Sequence, residues 1–308
     1  MTLNELLAAW KSGQLTKHQY IDAMHQVHQA LFDYAEFLRH TDLAGLEIAD
    51  GNVVATVRDT GIRLLCNRTD KRIAPMEILN FGQYESAESG LLFRLLQDGA
   101  SVFDIGANIG WYSINIAKRF PNSRVTAFEP IPSTFGYLQR NLALNQVGNV
   151  QVHNFAFSNK PGELSFFFHP EGSGSASAAD LMGTGNAQRV TCAVRTLDDF
   201  VRETGARVDF IKCDVEGAEL FVFQGGEQTL RRDRPMVFAE MLRKWAAKFG
   251  YHPNDIIAFM RQIGYQCFVR HGDGLAAFPA MDDQTNDTNF FFLHPEVHAA
   301  RIRELVAA

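Results

Sequence analysis

Apolar residues recur at helical spacing over the first 40 positions, as Leu3, Leu6, Leu7 and Trp10, then Ile21, Met24, Leu31, Tyr34 and Leu38. Gly13 and Thr16 separate the two runs, so the pattern predicts two amphipathic helices. From Leu46 to Asn80 the period shortens. Val53–Val57 and Ile62–Leu65 read as strands around the turn Asp59-Thr60-Gly61, a hairpin-rich segment. Strands and helices then alternate. A helix capped by Ser86 runs to Leu96, and Val102–Ile105 is a buried strand followed by a helix from Ile109 to Phe120. Val125–Phe128 is the next strand, with a helix from Pro132 after it. Val150–Phe155, Val208–Cys213 and Met236–Glu240 continue the series. Strands joined through helices imply right-handed crossovers and a mainly parallel sheet covered on both faces.

Two segments depart from that alternation. Asn159-Lys160-Pro161-Gly162 turns into a strand over 163–168, so a β-hairpin is added to one crossover. The Gly/Ser/Ala-rich stretch from Glu171 to Gln188 reads as a mobile loop. Gln266–Val269 and Asn289–Leu293 are strand-like and joined by a polar, non-helical stretch, which predicts an antiparallel pair closing the sheet. The chain divides on this reading into a helical and β-hairpin extension, 1–80, and an α/β domain, 81–308.

Composition narrows the function. The 308 residues are 46% hydrophobic and 21% charged, within the ordinary globular range, and the formal charge of −6 argues against nucleic acid or an anionic membrane as the main partner. Of the four cysteines no two have CxxC spacing, which excludes a zinc knuckle or a thioredoxin-like motif. No signal peptide and no bilayer-spanning apolar run is evident, so the expected location is cytoplasmic.

The chemistry concentrates at strand ends. Asp104-Ile105-Gly106-Ala107-Asn108-Ile109-Gly110 runs from a strand through a glycine turn into a helix. Glycines there let backbone approach a ligand, and the helix start presents free N–H groups. A nicotinamide-binding turn needs G-x-G-x-x-G, whereas Asn108 and Trp111 occupy its second and third glycine positions, so a dehydrogenase is disfavoured. Glu129 ends the second strand, where an acid can accept hydrogen bonds from ribose hydroxyls; a solvated strand-end carboxylate is the plainer alternative. Asp214, Glu216 and Glu219 follow the fourth strand, and Glu240 ends the fifth. These acids could bind an acceptor, act as a base or hold Mg²⁺ through oxygen ligands, or they could be helix-start acids favoured by the dipole. His153, His169, His252 and His271 are further candidate bases.

The Asp104–Gly110 segment, Phe128-Glu129-Pro130, Ala156-Phe157-Ser158 and Ile211–Glu219 together resemble the FkbM family of S-adenosylmethionine-dependent methyltransferases. The resemblance runs from about Tyr84 to Leu293 and does not reach the first 40 residues. It implies a Rossmann-like sheet of seven strands with the last antiparallel, and S-adenosylmethionine as cofactor. Carried over by position, it implies that Gly106, Ala107, Asn108 and Gly110 line the methionine portion with Asp104 behind the amino group. Glu129 would hold the ribose with Pro130 and Ser133 nearby, and Asn154 to Phe157, including Ala156, would border the adenine. Asp214 would sit near the transferable methyl with Glu216 just beyond. Asp214 and Glu240 are the candidate catalytic acids and the candidate Mg²⁺ ligands, with Asn289 a possible neutral one.

The function expected from all this is O-methylation of a hydroxyl on a small metabolite or sugar. N-methylation, or a catalytically inactive cofactor-binding interaction module, are the alternatives. The N-terminal helices offer a surface for homo-oligomer formation.

Overall fold

The computed structural model describes residues 1–180 and 187–306. Two helices, α1 (Leu3–Lys11) and α2 (Lys17–Phe37), open the chain, each started by a capping box at Thr2 or Thr16. A meander of β1 (Leu43–Ala49), β2 (Asn52–Val57) and β3 (Arg63–Leu65) follows, then α3 (Ala74–Phe81) and α4 (Ser86–Leu95). The α/β alternation comprises β4 (Ser101–Ile105), α5 (Trp111–Arg119), β5 (Arg124–Phe128), α6 (Pro132–Asn145) and β6 (Val150–His153). An inserted sheet has β7 (Ala156–Phe157), β8 (Gly162–Phe168) and β9 (Gln188–Arg195). After α7 (Leu197–Thr204) come β10 (Phe210–Cys213), α8 (Glu219–Gln224), α9 (Glu227–Asp233), β11 (Met236–Glu240), α10 (Arg243–Ala246) and α11 (Pro253–Gln262). The chain closes with β12 (Gln266–His271), β13 (Gly274–Ala277), β14 (Asn289–Leu293) and α12 (Pro295–Leu305).

The main sheet has the order β13-β12-β14-β11-β10-β4-β5-β6. β4, β5, β6, β10 and β11 run parallel, and β14 inserts antiparallel between β11 and β12. This is the Rossmann-like methyltransferase fold that the sequence predicts, with an eighth strand, β13, added at one edge. After β6 the chain returns to the opposite side of β4, so the strand order reverses between β4 and β10. Crevices at the carboxyl ends of strands at such a reversal are where open α/β sheets bind ligands.

Alternate residues feed two cores. Phe103, Ile105, Ile211 and Val237 pack under α7, α8 and α11, whereas Val102, Phe210 and Phe238 pack with α4, α5 and α12. The β1–β3 meander is not a separate body. Leu43, Ala55, Ile62 and Leu64 share a cluster with Ile114 of α5 and Leu138 of α6. Asn141 and Asn145 accept hydrogen bonds from the Leu65 and Arg63 N–H groups, both at 2.9 Å, so α6 side chains satisfy the free edge of β3.

The loop from Glu171 corrects one expectation. Residues 181–186 lie outside the described residues, but the part up to Asp180 is packed down. Ser173 N–H donates to Asp70 (2.9 Å), Lys71 pairs with Glu171 (2.7 Å), and the Ser177 hydroxyl donates to the Glu216 carbonyl (2.9 Å). Small residues there permit close approach to the sheet edge. Among the described residues no helix is long and apolar enough to cross a membrane. The four cysteines are unbridged.

Candidate active site

The turns after β4 and β10 interlock. Asp214 N–H donates to the Ile105 carbonyl (3.0 Å), and Gly106 (φ +78°) lies so close that a Cβ there would sit 1.8 Å from the Asp214 carbonyl oxygen. Gly106 and Ala107 N–H groups both donate to the Phe128 carbonyl of β5 (3.0 and 2.9 Å). Three strand ends are thereby held together, and only glycine fits at the junction.

Asn108 adopts a left-handed conformation (φ +50°), which aims its N–H at Glu129 Oε2 (3.0 Å); Ile131 N–H donates to Oε1 (2.9 Å). Glu129 is buried, and burial pushes its carboxyl up to about 7, against the two N–H donors and Lys212. Each oxygen uses one local donor and keeps a lone pair for another. Asp104 is fully buried. Ser113 Oγ donates to its Oδ2 (2.6 Å), while Oδ1 has no hydrogen-bond partner and lies 3.7 Å from Lys212 Nζ.

Lys212 is the residue that sequence reasoning left without a role. It lies on β10 between buried Ile211 and Cys213, and its Nζ donates to the Gly106 carbonyl (2.8 Å) and Asp214 Oδ2 (3.3 Å). Burial alone would lower its ammonium, but Asp214, Asp104 and Glu85 outweigh burial and raise it, so it stays charged. A lysine inside a fully buried parallel strand was the available signal, since such a charge must be paired.

On the β10–β11 side, Asp214, Glu216 and Glu240 each bring a carboxylate oxygen within 4.8 Å of the others. Glu216 sits at φ +53°, ahead of Gly217, where a Cβ would lie 2.8 Å from the Trp245 backbone. Among the described residues none donates a hydrogen bond to the carboxylate of Glu240, and Glu216 Oε2 is buried without a partner. Burial raises both carboxyls well above the ordinary range, and Asp214 pushes them further. Such an oxygen cluster is able to hold a divalent cation. Glu219 is different: its Oε1 accepts the Val215 and Gly217 N–H groups (3.0 and 3.1 Å), so it ties the turn, as the helix-start reading anticipated. Glu85, also missed, precedes α4 at φ +44° and accepts the Tyr112 hydroxyl; burial raises its carboxyl too.

One cavity of about 1540 Å³ spans both sides. Gly106, Ala107, Asn108, Glu129, Pro130, Ala156 and Phe157 line one part, with Phe155 beside them. Asp214, Glu216, Glu240, Glu85 and the aromatic residues Trp245 and Phe249 line another. Five expected residues lie elsewhere; one is Asn154, whose amide donates to the Glu129 and Pro130 carbonyls (2.8 and 2.9 Å) instead of lining the cavity. Asp104 is behind the wall. Gly110 packs against α6, where a Cβ would meet Leu138 at 2.6 Å, and Ser133 is exposed on α6. Asn289 pairs with Glu240 across the β11–β14 ladder but is not in the cavity wall. Of the four histidines considered, His169 alone reaches the cavity. His153 stacks on Phe128 (5.4 Å), His252 caps α11, and His271 is exposed.

Residues 104–267, just over half of the chain, match the model of the methyltransferase FkbM domain. Methyltransferase 1 of Beauveria bassiana is 32% identical over 42% of this chain and 59% of its own. The 31-O-demethyl-FK506 methyltransferase FkbM of Streptomyces tacrolimicus is 30% identical over 43% of this chain and 61% of its own. The 2-O-methyltransferase NoeI of Sinorhizobium fredii is 28% identical over 43% and 60%. The chain thus spans about 60% of the length of these curated relatives. A crystal structure of methyltransferase FkbM from Methylobacillus flagellatus superposes with a TM-score of 0.44 at 19% identity, covering 71% of this chain and 54% of that one. With the domain match spanning β4 to β12, the chain belongs to the FkbM methyltransferase family.

Proposed function

We propose that the protein transfers the methyl group of S-adenosylmethionine to a hydroxyl of a polyhydroxylated small molecule, such as a sugar. The carrying observation is the single cavity that joins the Gly106–Glu129 edge to the Asp214–Glu216–Glu240 cluster. The residues suit the cofactor: Glu129 keeps a free lone pair on each oxygen for two ribose hydroxyls, and Gly106 to Asn108 offer close backbone approach. Bound there, the sulfonium supplies an already activated methyl. The protein then has to align the acceptor and manage one proton. Two relatives bear O-methyltransferase names, which supports oxygen as the acceptor.

On this reading Asp214 receives the acceptor hydrogen bond, and the Lys212 ammonium that donates to its Oδ2 orients it. Glu216 and Glu240, biased toward the protonated form by burial, can donate to neighbouring hydroxyls while Asp214 accepts. A mixture of donors and acceptors is what a polyol presents. Release of S-adenosylhomocysteine in the presence of sugars and polyols tests the reading. Asp214→Asn should lower turnover about 100-fold or more with little change in cofactor affinity. Parental turnover in that variant removes Asp214 from the reaction, and turnover with amines alone replaces oxygen by nitrogen. The three carboxylates within 4.8 Å favour a second reading, in which they hold a divalent cation that polarises the hydroxyl. Activity unaffected by a chelator removes that version and leaves the direct one.

A further inference from the structure

An aromatic wall is fixed beside the three carboxylates. A Cβ on Gly217 would lie 2.8 Å from the Trp245 carbonyl carbon and 2.9 Å from its Cβ, so the Trp245 side chain starts beside the turn that carries Glu216. α10 is also held from elsewhere in the chain: Arg243 donates to the Asp282 and Thr285 carbonyls, and Ala246 is buried. The 3-10 turn that follows, Ala247–Phe249, brings a second ring, and Phe249 meets Phe221 of α8 edge-on at 6.0 Å. All three rings line the cavity and all three are only half-buried.

The fold uses the backbone of Trp245 rather than its ring. Trp10 stacks on Tyr20 and Trp111 meets Tyr84, both at 5.4 Å, whereas among the described residues no ring packs on the Trp245 indole. Lys244 Nζ stands 4.2 Å from its centroid, on an exposed and flexible stem that a ligand displaces readily. An open aromatic face beside hydrogen-bonding groups is matched by a ligand that is apolar on one face and polar at its edge.

We infer that Trp245, together with Phe249, selects the shape of the acceptor: it takes the C–H face of a sugar ring whose edge hydroxyls reach Asp214, Glu216 and Glu240. The inference rests on the reading of a polyhydroxylated acceptor and narrows it from polyols in general to cyclic ones. A pyranose gathers C–H groups on a face while its hydroxyls project from the rim, so one molecule meets both parts of this wall. An open-chain polyol has no such face, and it loses on binding a conformational freedom that a ring has already given up. A planar phenol would cover the indole but offers too few hydroxyls for three carboxylates.

Initial rates with the methyl pyranosides of common hexoses, with the matching hexitols and with catechol, each read by release of S-adenosylhomocysteine, test this. The parent should favour at least one pyranoside over its hexitol by about 10-fold or more in kcat/KM. Trp245→Ala should raise KM for that pyranoside about 10-fold with kcat held within about three-fold, and should erase the preference over the hexitol. Trp245→Phe, which keeps an aromatic face, should recover most of the loss. Calorimetry with S-adenosylhomocysteine should give parental affinity for both variants, which separates lost stacking from a disturbed fold. Three results overturn the role of Trp245 and leave methyl transfer to oxygen in place. They are a parental KM in Trp245→Ala, a loss of cofactor affinity as large as the rise in KM, and a hexitol or catechol preferred over every pyranoside. Transfer to none of these hydroxyls overturns both.

Discussion

The two sides of the cavity treat their carboxylates differently. At the β4–β5 side, Glu129 receives two backbone N–H groups and Asp104 receives the Ser113 hydroxyl. At the β10–β11 side, Glu240 receives no hydrogen bond from a described residue and Glu216 Oε2 is unpartnered. Burial raises Glu129, Glu216 and Glu240 alike, so the contrast lies in the donors rather than in desolvation. Where the chain supplies its own donors, the carboxylate is fixed before any ligand arrives. Where it does not, burial holds the carboxyl toward its protonated form, which is free to donate when something binds.

The largest effect that should sharpen this contrast is ionisation. Glu129 and Glu219 are both pushed up to about 7 by burial. For a carboxyl raised on folding, the stabilising contribution is complete below the unfolded value and is lost as pH rises through the folded one. Each group therefore loses on the order of 3 kcal/mol between roughly pH 4.5 and 7.5. Thermal melts of the ligand-free protein should fall across that window, and Glu219→Gln should flatten the fall. S-adenosylhomocysteine affinity should move the opposite way, tightening as Glu129 ionises and becomes a better acceptor. A pH-independent melting temperature would refute both halves.

Gly106→Ala attacks the junction that both sides share. Its Cβ would be 1.8 Å from a backbone oxygen, and the residue has φ +78°, so we expect a loss of about 3 kcal/mol. Denaturant titration reads it, and parental stability would mean that the two turns are not locked. Glu129→Ala should weaken S-adenosylhomocysteine binding by about 1.5–3 kcal/mol, or 10- to 150-fold, whereas Glu240→Ala should barely change it. Calorimetry giving equal losses for the two would erase the division into a cofactor side and an acceptor side. The smallest effect is the most specific. Glu240→Gln makes permanent the uncharged state that burial favours and should raise stability by about 1 kcal/mol near pH 8, while Glu129→Gln turns an amide N–H₂ toward a backbone donor and should lower it. Stabilisation by both, or by neither, breaks the comparison.

Legibility in the sequence followed burial. β4, β5, β10 and β11 are apolar runs covered on both faces, and each ends in a Gly or acid that marks its carboxyl end. β9 and β13 escaped notice. β9 spreads Arg189, Thr191 and Arg195 along a largely exposed strand, and β13 is Gly-Leu-Ala-Ala, a poor β-forming run held by its pairing with β12. Of the site, the motif residues around Gly106, Glu129 and Asp214 could be named because local chain geometry requires them. Glu85 could not, because it comes from a segment before the first parallel strand and reaches the cavity wall only when that segment folds against α5, where it accepts the Tyr112 hydroxyl.

Alone, the sequence determined the order of the buried parallel strands and the helices between them, the glycine turn and which acids end which strands, since these depend on residues a few positions apart. Tertiary structure decided the rest. It set Asp214 against Gly106 across more than 100 residues, put Lys212 between Asp104 and Asp214, and withheld donors from Glu216 and Glu240. It also packed the loop after Glu171 onto the site and left α2 with no buried residue. Those outcomes depend on which surfaces meet when distant segments fold together. A carboxylate carries no local mark of whether the chain will bring it a donor.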